Sequence, residues 1–208
     1  MLINNFGSLK AELARYMFTE RFASDYDTAV QNFEAAANRR LRTKWQERLQ
    51  NITTNYGIGD VPFDYSTWRT VLWKKQSPFV ELDYVHPAYF RTSPEFNADS
   101  SGSPLVFTIE NQTFMTAPQD NTTAAFEFHY YSKILTITDG PNGSNWLILR
   151  WPDVYLFGAL AELFALGRNR ESAELYKARR DEVLLEIMLH SSRETGATSA
   201  RVREGQYF

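Results

Sequence analysis

Three histidines, His86, His129 and His190, are the side chains of this 208-residue chain best suited to ligating a metal or moving a proton near neutral pH. They are scattered, and no two have the spacing that places two ligands on one helix face, so no metal centre is expected. His129 falls beside Glu127 on a predicted strand, where the two make a polar pair on the outer face. Cysteine is absent, which removes disulfides, thiol catalysis and cysteine-ligated zinc. No serine stands in a Gly-x-Ser-x-Gly elbow. The stretches YGIGD and SSGSP lack the lysine and the helix start of a phosphate loop, and they read as turns. The 25 acidic residues offer carboxylate pairs almost anywhere, so without geometry none is singled out. The expectation is a protein with no catalytic residues, no metal and no cofactor.

Binding chemistry is better represented. In NRRLRTKWQER, the cations Arg39, Arg40, Arg42, Lys44 and Arg48 face one acid, Glu47. Cations at the end of a helix meet the negative end of its dipole. The same cluster suits an acidic neighbour or a DNA backbone, and the two readings coexist. Trp45, Trp68, Trp73, Tyr130 and Tyr131 have the ring faces that stack on sugars or bases, although most aromatic residues serve the core. A net charge of −3 excludes a generally basic nucleic-acid binder and leaves room for a local patch. Asn51, Asn111, Asn121 and Asn142 each open an Asn-x-Ser/Thr triplet, but MLINNFGSLK lacks the features of a signal peptide, so these triplets are read as loop vocabulary.

The elements that hold these side chains declare themselves by period. SLKAELARYMF sets Leu9, Leu13, Tyr16 and Met17 on one face of a helix that Ser8 is placed to cap. A second helix, from about Asp25 to Lys44, has Tyr26, Val30, Phe33, Ala37 and Leu41 as its apolar stripe. The short link between them implies an antiparallel pair. From about Glu47 to Asp139 the vocabulary turns to Thr, Val, Phe and Tyr, broken by turn sequences. Phe126, Phe128 and Tyr130 alternate along one predicted strand and Leu105, Phe107 and Ile109 along another. Val71 with Trp73, and Val80 with Leu82, mark two more.

The greasiest stretch, Trp146 to Leu166, has the roughly 20 residues of a membrane span. It also carries Arg150, Asp153 and Glu162, and charges at a helix centre cost roughly 2.5 to 3.5 kcal/mol each on insertion. The Trp151-Pro152 pair divides the stretch into a short segment, SNWLIL, and a helix from about Pro152 to Leu166 that Gly167 stops. Being apolar almost all round, that helix is expected at the centre of the protein. A closing helix follows to about His190, with Ala173, Tyr176, Val183, Leu184, Ile187 and Met188 at helical spacing.

The expected fold is α+β: a helical bundle built from N- and C-terminal helices, 1–46 and 142–190, with a large inserted antiparallel β block, 47–141, and an extended tail, 191–208. Trp146, Leu156, Phe157, Leu160 and Phe164 are expected in the bundle core. In the tail, Arg201, Val202, Arg203, Gln206, Tyr207 and Phe208 gather residue types common at interface hot spots. The tail is too polar to order itself alone and is expected to fold against a partner.

Together, the helix pair ending in AAANRRLRTKW, the segments VPFDYSTWRTVLWK, FVELDYVHPAYF and FEFHYYSKILTITD, and the run NWLILRWPDVYLFGALAEL resemble the head-to-tail adaptor, or connector, proteins of tailed bacteriophages over nearly the whole chain. The last run is the most specific, with its Asn-Trp-Leu turn, Pro-Asp helix start and Tyr-Leu-Phe-Gly-Ala-Leu sequence, and it is a packing signature rather than a catalytic one. The resemblance implies a structural virion protein at the head-to-tail interface, present in the host cytoplasm during assembly. It implies a ring of twelve copies beneath the portal that extends the DNA channel and gives the tail a platform. The implied partners are the portal protein, neighbouring copies of the chain, a downstream tail or nozzle protein and, non-specifically, passing double-stranded DNA; no membrane is involved. Arg39, Arg40, Arg42 and Lys44 are then expected against a neighbouring subunit or channel DNA, and the tail residues 201–208 against the portal. The rival reading is a tail-associated module that holds glycans or a receptor with its aromatic β block.

Overall fold

The computed structural model describes residues 3–17, 20–75, 77–92, 102–119 and 123–199, with side chains in the last helix through Arg193. In chain order the helices are α1 (Phe6–Met17), α2 (Tyr26–Arg40), α3 (Pro87–Thr92), α4 (Trp146–Arg150), α5 (Pro152–Leu166) and α6 (Arg170–Ser199). The strands are β1 (Glu47–Asn55), β2 (Ile58–Asp60), β3 (Tyr65–Trp73), β4 (Val80–Glu81), β5 (Asp83–Tyr84), β6 (Val106–Glu110), β7 (Thr113–Ala117) and β8 (Thr123–Ser132). This mixed α+β chain divides into two compact units, a helical one of Met1–Trp45 with Ile134–Phe208 and a β unit of Gln46–Lys133.

In the helical unit each helix starts and stops for a local reason. Asn5, not Ser8, opens α1: its Oδ1 accepts from Ser8 N at 2.8 Å, and Ser8 Oγ accepts in return from Asn5 N at 3.1 Å. Ser8 is thus the reciprocal partner inside the first turn of a capping-box arrangement. α2 ends at Arg40 rather than near Lys44, and Leu41 is extended, with φ −81° and ψ 131°. Arg42 Nη1 donates to the carbonyls of Asn38, at 2.8 Å, and Leu41, and so takes the place of further helical N–H groups. α5 begins at Pro152 and is closed by Gly167, as its sequence implies.

α5 packs against α1, α2, α4 and α6. Val154, Tyr155, Leu156, Leu160 and Leu163 join Phe6, Leu9, Leu13, Val30 and Phe33 in the principal core cluster. Trp146, Phe157 and Phe164 are half-buried at its edge; the rings of Phe157 and Phe164 stack on Tyr176 of α6 at 6.2 and 5.5 Å. Ile134 and Ile137, which follow the last strand, also lie in this core. α6 runs on past His190 to Ser199, a correction to the extended tail expected from Ser191. Ser191 is buried and its Oγ accepts from Lys44 N at 2.9 Å, so this polar residue continues the helix's inward row. Residues 201–208 lie outside the described residues.

In the β unit the eight strands lie in the order β4-β3-β8-β1-β2-β7-β6-β5. Strands β4 and β5 are two ends of one segment, interrupted only at Leu82. Glu81 pairs with Leu72 of β3, while Asp83 and Tyr84 pair with Val106 and Phe107 of β6. Leu82 N donates to Val71 O at 2.9 Å, and Asp83 N to Leu105 O at 3.1 Å. One short segment therefore joins both edges and closes the sheet on itself, which leaves no long free edge between β3 and β6. The β5–β6 pairing is parallel; the others are antiparallel, so the fully antiparallel expectation fails at the closing strand. Two tight hairpins have both central residues at positive φ, Tyr56-Gly57 at 50° and 73° and Asn111-Gln112 at 49° and 67°, the geometry that matches strand twist.

The alternation of Phe126, Phe128 and Tyr130 faces the interior of this unit with Val71, Trp73, Phe107 and Phe114. β6 departs from the expected alternation. Leu105 lies outside the strand and is 60 % exposed, whereas Val106 and Phe107 are both buried because α3 covers the outer face with Phe90.

Gly158 supplies the sharpest test of the helical core. A Cβ on this residue would lie 2.2 Å from Cδ2 of the Phe33 ring. Alanine is favoured over glycine in a helix by roughly 1 kcal/mol, but an overlap of that depth must displace a fully buried ring. Gly158→Ala is therefore expected to destabilise by more than about 1 kcal/mol, and Leu160→Ala by about 2 to 5 kcal/mol, both read from guanidinium unfolding. A stabilised G158A would overturn this packing.

Candidate interaction surfaces

Two perturbed titratable groups, Glu34 and Tyr155, meet inside the helical unit. Glu34 of α2 is only 4 % exposed, and burial raises its pKa above the usual 4.5 against the pull of its hydrogen bonds. Its Oε1 accepts from the Tyr155 hydroxyl at 2.9 Å and from Ile137 N at 3.0 Å. Asn145 Nδ2 donates to the Tyr155 hydroxyl at 2.6 Å and to Leu135 O at 2.7 Å. Its Oδ1 accepts from Leu147 N and Ile148 N at 3.0 and 3.1 Å and so caps α4. Burial first, then the Glu34 carboxylate, hold the Tyr155 hydroxyl well above its ordinary pKa. Perturbed groups often mark catalysis when they face a cleft. These face one another, and Asn145 uses both its donors and both its acceptor directions, so the group is a clasp between α2, the segment after β8, α4 and α5.

The arginine-rich turn divides among separate tasks. Arg40 pairs with Asp181 of α6 at 2.7 Å, and Arg42 holds the α2 carbonyls described above. Lys44 Nζ lies 5.9 Å from the Trp45 ring centre. Arg39 is exposed on the outer side of α2. The helix-end reading thus accounts for Arg42, and a tie to α6 accounts for Arg40.

The named aromatic residues are largely packed. Trp73 and Tyr130 are buried in the β unit, and Trp68 is half-buried and stacks on Tyr84 at 5.2 Å. In the helical unit Trp45 stacks on Trp146 at 5.9 Å, meets Trp151 edge-on at 4.6 Å and lies 5.8 Å from His190, while Arg150 covers its ring at 5.3 Å. His129 Nε2 lies 2.9 Å from Glu127 Oε1, and Lys74 approaches the other carboxylate oxygen at 3.6 Å. Hydrogen bonding from His129 is the main reason that the Glu127 pKa is lowered. Among the described residues no group of three or more His, Cys, Asp or Glu is arranged to hold a metal ion, and no helix is long and apolar enough to cross a membrane.

Phe63 has no counterpart in the sequence reading. It is 81 % exposed, although its turn is rigidly pinned: Tyr130 donates its hydroxyl to Asp64 Oδ1 at 2.9 Å, and Lys133 N donates to Asp64 O at 2.6 Å. Burial and the Asp64 carboxylate push the Tyr130 pKa up to about 12. A fixed turn that presents a bare ring is the type of anchor found at the centre of protein interfaces. Its only sequence signal is an aromatic residue inside the turn VPFD, which is easily taken for core.

Compared with known proteins, residues 4–203 match the family model described as SU10 adaptor protein. No curated protein matches the chain.

The clasp yields a pH-dependent expectation. Because the folded pKa of Glu34 lies above its ordinary 4.5, the folded state holds the proton more tightly than the unfolded one. The stability this contributes is complete below about pH 4.5 and is lost as pH rises through the folded pKa. Glu34→Gln has no such loss. Denaturant unfolding at about pH 4 and about pH 7 should show E34Q gaining stability relative to the parent as pH rises; a constant or falling difference would refute the perturbed carboxyl.

Proposed function

Because the chain belongs to the SU10 adaptor protein family, a family of phage head-to-tail adaptors, we propose that it assembles as a ring beneath the portal, extends the DNA channel and gives the tail its platform. Membership implies a structural virion component that interacts with portal and tail proteins. The observation that carries the finer reading is the extent of the match. It covers both the helical and the β unit, so the β unit is part of the adaptor rather than a module added to it.

The proposed ring has twelve copies, in step with the portal, and its body is the helical bundle. A closed ring repeats one heterologous contact, so each copy needs two different adhesive faces. Arg39, Arg40, Arg42 and Lys44 serve a neighbouring copy or passing double-stranded DNA, and Arg39 is the one best placed, since Arg40 and Arg42 already have partners within the chain. Residues Arg201, Val202, Arg203, Gln206, Tyr207 and Phe208 dock on the portal. The net charge of −3 suits a channel that DNA must leave, because a strongly basic wall would hold it through many phosphate contacts. A tail or nozzle protein follows below the ring, and assembly takes place in the host cytoplasm.

Electron microscopy of the protein mixed with portal particles tests the reading directly. An added ring of density at one end of the portal is expected; portals unchanged at saturating protein would defeat it. Removing Ala200–Phe208 should abolish recruitment and leave thermal unfolding of the free protein unchanged, because this segment follows the last described turn of α6. A truncated protein recruited with full affinity would place the portal contact in the helical unit instead.

A further inference from the structure

α6 carries two rows of apolar side chains on opposite sides. The inner row, with Ala173, Leu184 and Ile187, packs in the core. The outer row, Leu175, Ala178, Glu182, Leu185 and Leu189, repeats at alternating spacings of three and four, the pattern by which one helix seats another. Its leucines are 51, 53 and 49 % exposed. Glu182 interrupts the row without an ion pair among the described residues, and exposed Glu186 borders it on the same flank as Arg179, whose guanidinium lies over the rings of Phe157 and Tyr176. The face is therefore bulky and apolar with one acid at its middle, and it suits a shallow partner with a cation to meet that acid.

The same unit presents such a face. Along the outer side of α2, Thr28, Asn32, Ala35 and Arg39 recur at spacings of four, three and four, and all are exposed. Three are small, and the fourth is a cation with no ion pair among the described residues. We propose that the outer row of α6 docks on the outer row of α2 of the next copy, with Glu182 meeting Arg39 and leucine side chains covering Ala35 and its neighbours. This names the two faces of the ring contact and rests on the ring reading above. Charge selects α2 over a second α6, because in an α6 pair related by a two-fold at the middle of the row Glu182 would face its own copy, whereas on α2 it meets Arg39. Two different helices make the contact heterologous, as ring closure requires.

The absence of cysteine makes the test clean. Full-length chains carrying A35C or L185C are mixed, assembled at high concentration or on portal particles, and oxidised. Mixed disulfide dimers should exceed those from either variant alone several-fold. Separately, R39E or E182R alone should weaken assembly by about tenfold or more, and an equimolar mixture of the two, in which the reversed charges meet in alternation, should restore it. All four positions are exposed, so unfolding midpoints should match the parent, which is checked first. An assembly that forms without the mixed disulfide and ignores the charge reversals overturns this interface and leaves the ring standing. A protein that stays monomeric in every condition, portal included, overturns the ring reading and the interface with it.

Discussion

The helical unit depends on one buried constraint, the clasp in which Asn145 and Glu34 share the hydroxyl of Tyr155. A carboxyl group with 4 % exposure costs free energy unless its hydrogen bonds are made in full. Here they are made by a tyrosine from α5 and by the Ile137 amide. Groups from four distinct pieces of chain must arrive together, since any one missing leaves buried polar atoms without partners. The network consequently specifies a single arrangement of these pieces, something apolar packing alone does less strictly.

Around that clasp, the run NWLILRWPDVYLFGALAEL acquires a physical reading position by position. Asn145 caps α4 and enters the clasp, Pro152 starts α5, Tyr155 completes the clasp, and Gly158 leaves room for the Phe33 ring. Ala159 and Leu160 then fill the core. Each of these roles is a contact within the helical unit. A run that marks a family can thus be a record of packing, and in this chain the contacts with partners must be sought on the outward faces.

Features that depend on a few consecutive residues were legible in the sequence: the Pro152 start, the Gly167 stop, and the period-two burial of Phe126, Phe128 and Tyr130. Features set by distant partners were not. Nothing local marks Val80–Tyr84 as the segment that joins two edges, because its ladder bonds go to residues before and after it in the chain. Val106 and Phe107 read as alternating and are both buried, since α3 covers the second face. Arg40 and Asp181 are far apart in sequence and meet only in the fold. On α6 the period picked out Ala173, Tyr176, Val183, Leu184, Ile187 and Met188, which do face inward, but the second apolar row through Leu175, Leu185 and Leu189 was not singled out. Ser191 misled for the converse reason, as a polar residue that the fold buries.

The pairing of β1 with β8 has a consequence for the order of folding. The two strands run antiparallel with Glu47 opposite Tyr131, so the chain enters and leaves the β unit at neighbouring points. All residues of that unit are contiguous, whereas the helical unit must join pieces from before Gln46 and after Lys133. Bringing the ends of an unstructured loop of that length together costs roughly 4 kcal/mol of chain entropy. Once the β unit has folded, the loop is already closed at β1 and β8, and the helical halves meet as if a few residues separated them. A nascent chain can complete the β unit before α5 and α6 have been synthesised, so synthesis from the N-terminus presents the pieces in the sequence that lowers the barrier to the last step.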